Sequence, residues 1–294
     1  MEFAEHSFLE IVTQEKTPIV LGRIEEVEPA KVTGDVSQGE VVLVGVQEIT
    51  QGNWTGGLRV VLHYARYASN LARIKSGGQG WNGISLEQGK YLVVGLLGGP
   101  PEAVAVRAIE SPEDTFVKQL RSSLAIERQT DPQLRLIQIR DAVLGGQPFL
   151  SGYGHYAAGR LKRIPRLEAV TLETSVLLGG NDVRNRLAAA QTLELELWHS
   201  ENTDDPLKPQ ILSAFWNSLG GAPEDLQNYL AEALFRLLID DAPSSDPKIR
   251  DYQFRLRRAV VVQSEAQAIK ALENWGRRQN SIEEARKLEQ WLRK

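Results

Sequence analysis

The segment "PRLEAVTLETSVLLGG" (Pro165–Gly180), followed directly by "NDVRNRLAAAQTLELELW" (Asn181–Trp198), has the sequence of two consecutive helices. Proline suits the first turn of a helix, where its missing N–H is harmless, and glycine suits the C-cap, where φ is positive. Asn181 or Asp182 suits the start of the second helix. The small residues Ala188–Ala190 would let neighbouring helices approach closely. We therefore expect a packed helix pair here.

The tripeptide "LGG" places this pair in a longer series. It begins at Leu144, Leu178 and Leu219, which are 34 and 41 residues apart, and each copy ends a helix-like run that opens near a proline. A second helical run follows each copy, and this spacing is typical of helical-pair repeats. The phrase "LLGGNDVRNRLAAAQTL" resembles the second-helix signature of HEAT-like repeats. The pattern predicts an all-α helical-repeat domain, an α-solenoid, over residues 113–294.

Residues 1–112 have the pattern of β-strands. Five runs are rich in Val, Ile or Leu and bounded by Gly, Pro, Asn or Asp. They are Thr17–Pro29, Gly39–Ile49, Gly57–Ala65, Gly89–Gly98 and Glu102–Glu110.

Between the third and fourth runs, Tyr67, Leu71 and Ile74 would share one face of a short helix. Three strands, a helix and two strands is the order of a small five-stranded OB-like β-barrel. The chain is therefore expected to be an α+β protein of two domains, with the barrel at 1–112 and the solenoid at 113–294.

Three phrases of the first part, "FLEIVTQEKTPIVLGRIEEVEP", "VVLVGVQEITQGNW" and "ISLEQGKYLVVGLL", resemble bacterial netrin-like domains, which are related to the tissue inhibitors of metalloproteinases. The resemblance implies an OB-type barrel. This chain has "QG" where the group's turn lysine would stand, and "VVGLL" in place of "VFL". Eukaryotic inhibitors of the group chelate metal through an N-terminal cysteine. The chain contains no cysteine, so the resemblance does not imply inhibition by that route.

Composition narrows the function classes. The formal net charge of −4 and a pI near 5.7 argue against a general nucleic-acid binder, which would carry a basic surface. The absence of cysteine excludes disulfides, thiolate nucleophiles and cysteine-ligated metals. No apolar run approaches the roughly 20 residues needed to span a bilayer. The netrin-like resemblance, together with a single methionine at Met1, favours an extracytoplasmic location over the cytoplasm.

Two features of the first part are candidate sites. Gly78, Gly80 and Gly83 spell G-x-G-x-x-G, but a helix-like segment precedes them and a strand follows, which is the wrong order for a dinucleotide site. Trp54 and Trp81 lie among turn residues. Each either covers the core or is an exposed anchor for a partner.

Arg59 and His63, on the third strand run, are further candidates for partner binding, and we expect them to share a face with Val61 on the opposite one. The chain has four histidines, none at i, i+4 spacing. We expect no metal site, no cofactor and no catalytic residue.

Three functions remain open. The first is a non-catalytic interaction or scaffold protein that binds a protein or peptide partner through its helical surface and its barrel. The second is an inhibitor or ligand-binding module centred on the barrel, with Trp54 and Trp81 as anchors. The third is an enzyme with a site between the domains, which rests only on the general tendency of pockets to occur at domain junctions.

Overall fold

The computed structural model describes residues 3–13, 17–28, 30–50, 54–68, 81–97, 102–198, 205–238, 247–260, 272 and 282–292. The chain divides into two compact units, Met1–Asp131 and Pro132–Lys294.

The first unit contains a six-stranded antiparallel sheet and two helices among its described residues. The strand β1 lies between β3 and β5, β6 pairs with β5, and both β4 and the short β2 pair with β3. The elements are α1 (Phe3–Val12), β1 (Ile19–Val27), β2 (Lys31–Thr33), β3 (Val36–Glu48), β4 (Arg59–Tyr67), β5 (Tyr91–Leu97), β6 (Glu102–Ile109) and α2 (Thr115–Glu127). Each of the five predicted runs contains a strand, whereas α1 and β2 were not predicted.

The strand β5 and residues 19–22 of β1 are buried on both faces, which explains why these stretches are nearly continuously apolar. One face packs a core that includes Ile24, Leu43 and Trp81. On the other face α1 lies so close that a Cβ added at Gly95 would stand 2.6 Å from Cδ1 of Ile11. This side of the sheet is thus covered by a helix.

The predicted fold, a closed five-stranded OB-like barrel followed by an α-solenoid, is wrong. The sheet is open: β4 and β6 approach within 8 Å, but no hydrogen-bonded ladder joins them in the described parts of the chain. The edge of β4 that faces away from β3 is partly hydrogen-bonded to the chain segment that begins at Trp81. The N–H of Trp81 donates to the carbonyl oxygen of Ala65 at 2.8 Å.

Asn82 continues this pairing at the same edge. Its Oδ1 accepts the N–H of Tyr67 at 2.9 Å, and its Nδ2 donates to the Tyr67 carbonyl at 2.6 Å. Tyr67 is the last residue of β4 and not part of a helix, and Leu71 and Ile74 lie outside the described residues.

The second unit has eight helices among its described residues. They are α3 (Pro132–Leu144), α4 (Pro148–Gly159), α5 (Arg166–Gly179), α6 (Val183–Trp198), α7 (Lys208–Leu219), α8 (Glu224–Leu238), α9 (Pro247–Val260) and α10 (Ile282–Leu292). The first six coincide with the helical runs predicted from the proline and "LGG" pattern. Oδ1 of Asp182 accepts the N–H of Arg184 at 3.0 Å, so Asp182 caps the start of α6 as expected.

The "LGG" tripeptides do not mark a repeated helix end. After α3, Gly146 has the positive φ expected of a C-cap glycine, 65°. After α5, Gly180 is extended, with φ −70° and ψ 138°. After α7, Gly220 keeps right-handed helical angles, φ −70° and ψ −12°. The same three letters therefore end three helices in three ways, which removes the main argument for a regular repeat.

Candidate functional site

The two tryptophans proposed as partner anchors occupy different positions in the first unit. Trp81 is 3% exposed and packs in the sheet core, its ring 6.0 Å from that of Tyr64. It therefore offers almost no contact area to a partner in this structure. Trp54 is partly buried against the same core, and its ring lies over Gly56, where an added Cβ would stand 2.0 Å from Cζ2.

The other two candidates lie on the exposed face of β4. Nε of Arg59 is 3.5 Å from Oε2 of Glu25, and Nδ1 of His63 is 3.3 Å from Oε1 of Glu40. Val61 is exposed on the same face, since residues i, i+2 and i+4 of a strand point to one side. The expectation that Val61 points the opposite way is therefore wrong, and the three residues form one row.

A surface pocket that the sequence reasoning missed lies between α6 and α8 of the second unit. Its volume is about 440 Å³. It is lined by Gln191, Glu194, Leu195, Trp198, Tyr229 and Arg236.

The charged groups of this pocket neutralise one another. Nε and Nη2 of Arg236 donate to Oε1 and Oε2 of Glu194 at 2.8 and 3.0 Å, and the hydroxyl of Tyr229 also donates to Oε2. Burial, together with the hydrogen bond and the charge of Glu194, raises the pKa of Tyr229, so the phenol keeps its proton and remains a donor. Because these groups are already satisfied, they have little capacity left for a charged ligand.

Two other lining residues of the pocket are apolar and exposed. Leu195 is 43% exposed and Trp198 is 59% exposed, at positions i and i+3 in the last turn of α6. Side chains at this spacing are neighbours on a helix surface. The pocket thus combines a neutralised polar part with an uncovered leucine and tryptophan.

The last turn of α6 is held in place by a second ion cluster. Arg166, the first residue of α5, donates from Nε to Oε2 of Glu196 at 3.1 Å and from Nη1 to Oδ1 of Asp205 at 3.1 Å. It also donates from Nη2 to the Glu196 backbone carbonyl at 3.2 Å. Since Glu196 lies between Leu195 and Trp198 in sequence, its fixed position orients the helix turn that carries both apolar side chains.

His155, Ser151 and Glu173 are buried at the interface of α3, α4, α5 and α6, where they form a polar network with the half-buried Asn185. The carboxylate and amide partners were not identified from sequence.

The remaining motifs give no further site. Gly78 and Gly80 lie outside the described residues, and Gly83 occupies a turn with φ 77°. No group of three or more histidine or carboxylate side chains within the described ranges is placed to hold a metal ion. In the same ranges no helix has both the length and the apolarity needed to cross a membrane.

One sequence signal could have indicated the pocket. The end of α6 reads "TLELELW", in which leucines and glutamates alternate although the segment is helical. On a helix this alternation cannot place every leucine inside and every glutamate outside. It therefore implies buried glutamates or exposed apolar residues, and the structure contains both.

Comparison with known proteins finds no match to this chain among protein-family models, curated proteins or solved structures. The netrin-like and HEAT-like resemblances receive no support from these comparisons.

Proposed function

We propose that this protein is a non-catalytic interaction protein whose second unit binds a protein partner through the pocket between α6 and α8. The observation that carries the proposal is the pair of exposed side chains Leu195 and Trp198 at the pocket wall. Tryptophan is enriched among residues that dominate binding energy at protein interfaces. An exposed tryptophan beside a concave surface is therefore a natural anchor position.

The chemistry of the pocket favours an uncharged partner group. Glu194 and Arg236 carry opposite charges and bind each other, so neither attracts a single ionic group strongly. The volume of about 440 Å³ accommodates one or two large side chains. The proposed occupant is an aromatic or branched aliphatic side chain presented by a peptide segment of a partner protein. The net charge of −4 supports a protein partner over nucleic acid.

The test is selection of peptides from a random displayed library on the full chain, followed by affinity measurement. Selected peptides should share an aromatic or aliphatic anchor, and Trp198→Ala should weaken their binding about tenfold or more. Leu195→Ala should weaken it by a smaller factor in the same direction.

Phe254→Ala is the matched control, because Phe254 is equally exposed, at 58%, but lies on α9 and does not line the pocket. It should leave affinity unchanged. Peptides that bind the Trp198 and Leu195 variants as tightly as the wild type would place recognition elsewhere and refute the proposal.

A second candidate places binding on the sheet, where Arg59, Val61 and His63 form one exposed row on β4. In that case the same selected peptides would lose affinity on Val61→Ala or Arg59→Ala and not on Trp198→Ala. The two candidates are thus separated by one set of variants.

A further inference from the structure

The network around His155 fixes the positions of its protons. Nδ1 of His155 is 2.6 Å from Oε2 of Glu173, and Nε2 is 2.6 Å from Oδ1 of Asn185. His155 is on α4, Glu173 on α5 and Asn185 on α6, so the imidazole connects three helices.

The orientation of the Asn185 amide follows from its other partners. Its Nδ2 donates to the carbonyl oxygen of Val143 at 2.9 Å, and the hydroxyl of Ser151 donates to its Oδ1 at 2.6 Å. A backbone carbonyl can only accept, so the amide nitrogen must face Val143. The oxygen then faces Nε2 of His155, which must carry a hydrogen.

The second imidazole nitrogen also requires a proton. Because Nε2 is already protonated, an unprotonated Nδ1 would place its lone pair against the Glu173 carboxylate at 2.6 Å. A hydrogen bond at this distance exists only when a proton lies between the two atoms, on either the nitrogen or the oxygen. The pair therefore holds one proton more than a neutral histidine beside a carboxylate would.

The surroundings make this proton difficult to remove. Among the described residues, Glu173 is the one ionisable group that acts on the charge of His155. On the side of α6, His155 faces the neutral amide of Asn185. On the side of α3, the Val143 carbonyl accepts a hydrogen bond from that same amide. Burial by itself lowers the pKa of His155, but the charge of Glu173 and the hydrogen bonds to Glu173 and Asn185 outweigh it, and the pKa is raised. Burial also raises the pKa of Glu173, whose Oε1 has no hydrogen-bond partner within the described chain.

We propose that the His155–Glu173 pair is a proton-linked latch, which holds α4 against α5 and α6 while it is protonated and loosens their packing when the pH rises. Both groups act in the same direction. A histidine whose pKa is raised on folding stabilises the fold below its ordinary value of 6.5, and this contribution is lost as the pH rises through its folded pKa. A carboxyl whose pKa is raised on folding likewise makes the folded state less stable as the pH rises above its ordinary value of 4.5.

The direct test is an NMR titration of the imidazole resonances of the full chain, which contains four histidines. His6→Gln, His63→Gln and His199→Gln assign the other three signals, so His155 is identified even if its own variant does not fold. His155 should titrate above the ordinary histidine value of 6.5, because the charge of Glu173 and the hydrogen bonds to Glu173 and Asn185 raise its pKa. A midpoint at or below 6.5 would overturn the proposal.

Glu173→Gln tests the role of the carboxylate charge. Its amide oxygen can still accept from Nδ1, but the negative charge is lost, so the titration midpoint of His155 should fall relative to the wild type. An unchanged midpoint would show that the pair is not coupled and would contradict the latch.

The second readout is the pH dependence of the melting temperature. The wild type should lose stability as the pH rises above 6.5, whereas His155→Gln should show a flatter profile. His63→Gln is the matched control, because its side chain is 80% exposed and its ion pair with Glu40 is at the surface, where such pairs contribute little stability. Equal slopes in the wild type and His155→Gln would rule the latch out. None of these readouts depends on a binding partner, so the inference can fail or hold independently of the proposed function.

Discussion

Arg236 on α8 binds Glu194 on α6 through two hydrogen bonds, from Nε at 2.8 Å and from Nη2 at 3.0 Å. The two residues are 42 positions apart in the chain, and together they join the two helices that form the pocket.

Replacing Arg236 with methionine should destabilise the second unit. The variant keeps much of the apolar stem but leaves the buried carboxylate of Glu194 with the Tyr229 hydroxyl as its one partner among the described residues. Breaking a buried pair from one side costs about 3–5 kcal/mol, and partial exposure of Arg236 reduces our expectation to about 2–3 kcal/mol. The measurement is the free energy of unfolding from urea denaturation.

The matched control is Glu232→Gln, which removes the more exposed carboxylate at 3.4 Å from the same guanidinium. It should change stability by less than about 0.5 kcal/mol, as for a surface ion pair. An equally small change in the free energy of unfolding for Arg236→Met would contradict this prediction. It would mean that the Glu194 carboxylate becomes solvated or bonds another group in the variant.

At the contact between α4 and α6, Gly159 leaves no room for a side chain. A Cβ at this position would stand 2.4 Å from Cγ2 of Thr192, and a β-branched side chain on a helix has little freedom to move aside. Gly159→Ala should therefore lower the free energy of unfolding by about 1–3 kcal/mol, the usual cost of overpacking.

Gly179, at the end of α5, is the corresponding control. A Cβ there meets nothing within 4 Å, so Gly179→Ala should be neutral or slightly stabilising. Thr192→Ser, which removes Cγ2, should recover stability in the Gly159→Ala background. Failure of this rescue would mean that the clash is not with Thr192.

Trp81→Ala should destabilise the first unit by about 3–5 kcal/mol, since the ring lies in the sheet core. Trp54 is only partly buried, and Trp54→Ala should cost about 1–2 kcal/mol. Denaturation monitored by far-UV circular dichroism measures both. Wild-type stability in Trp81→Ala would show that the ring is not part of the core and would restore Trp81 as a candidate partner anchor.

Local sequence patterns predicted most element positions because their causes are local. Runs rich in Val, Ile or Leu between turn residues indicated the five longer strands, and proline or aspartate at helix starts indicated α3 to α8. The helix α1 was not predicted, because part of its sequence lies in a phrase that was compared only with netrin-like domains. The strand β2 has only three residues, and all of them are exposed, so its sequence shows no pattern of buried residues that would indicate a strand.

Long-range relationships could not be predicted in the same way. Whether β4 pairs with β6 depends on what engages the outer edge of β4, and Asn82 gives no local sign of bonding the Tyr67 backbone. The pocket depends on the placement of α6 relative to α8. Glu194 and Glu196 would ordinarily be read as solvent-facing charges, yet both are buried because arginines from other helices reach them.

The Asn82 amide has a consequence for the behaviour of the protein at high concentration. An exposed strand edge can pair with the same edge of another copy, and such pairing leads to sheet extension between molecules. The backbone N–H and carbonyl of Tyr67 at this edge are both already hydrogen-bonded to the side chain of Asn82. A single asparagine therefore acts as protection against self-association at this end of β4.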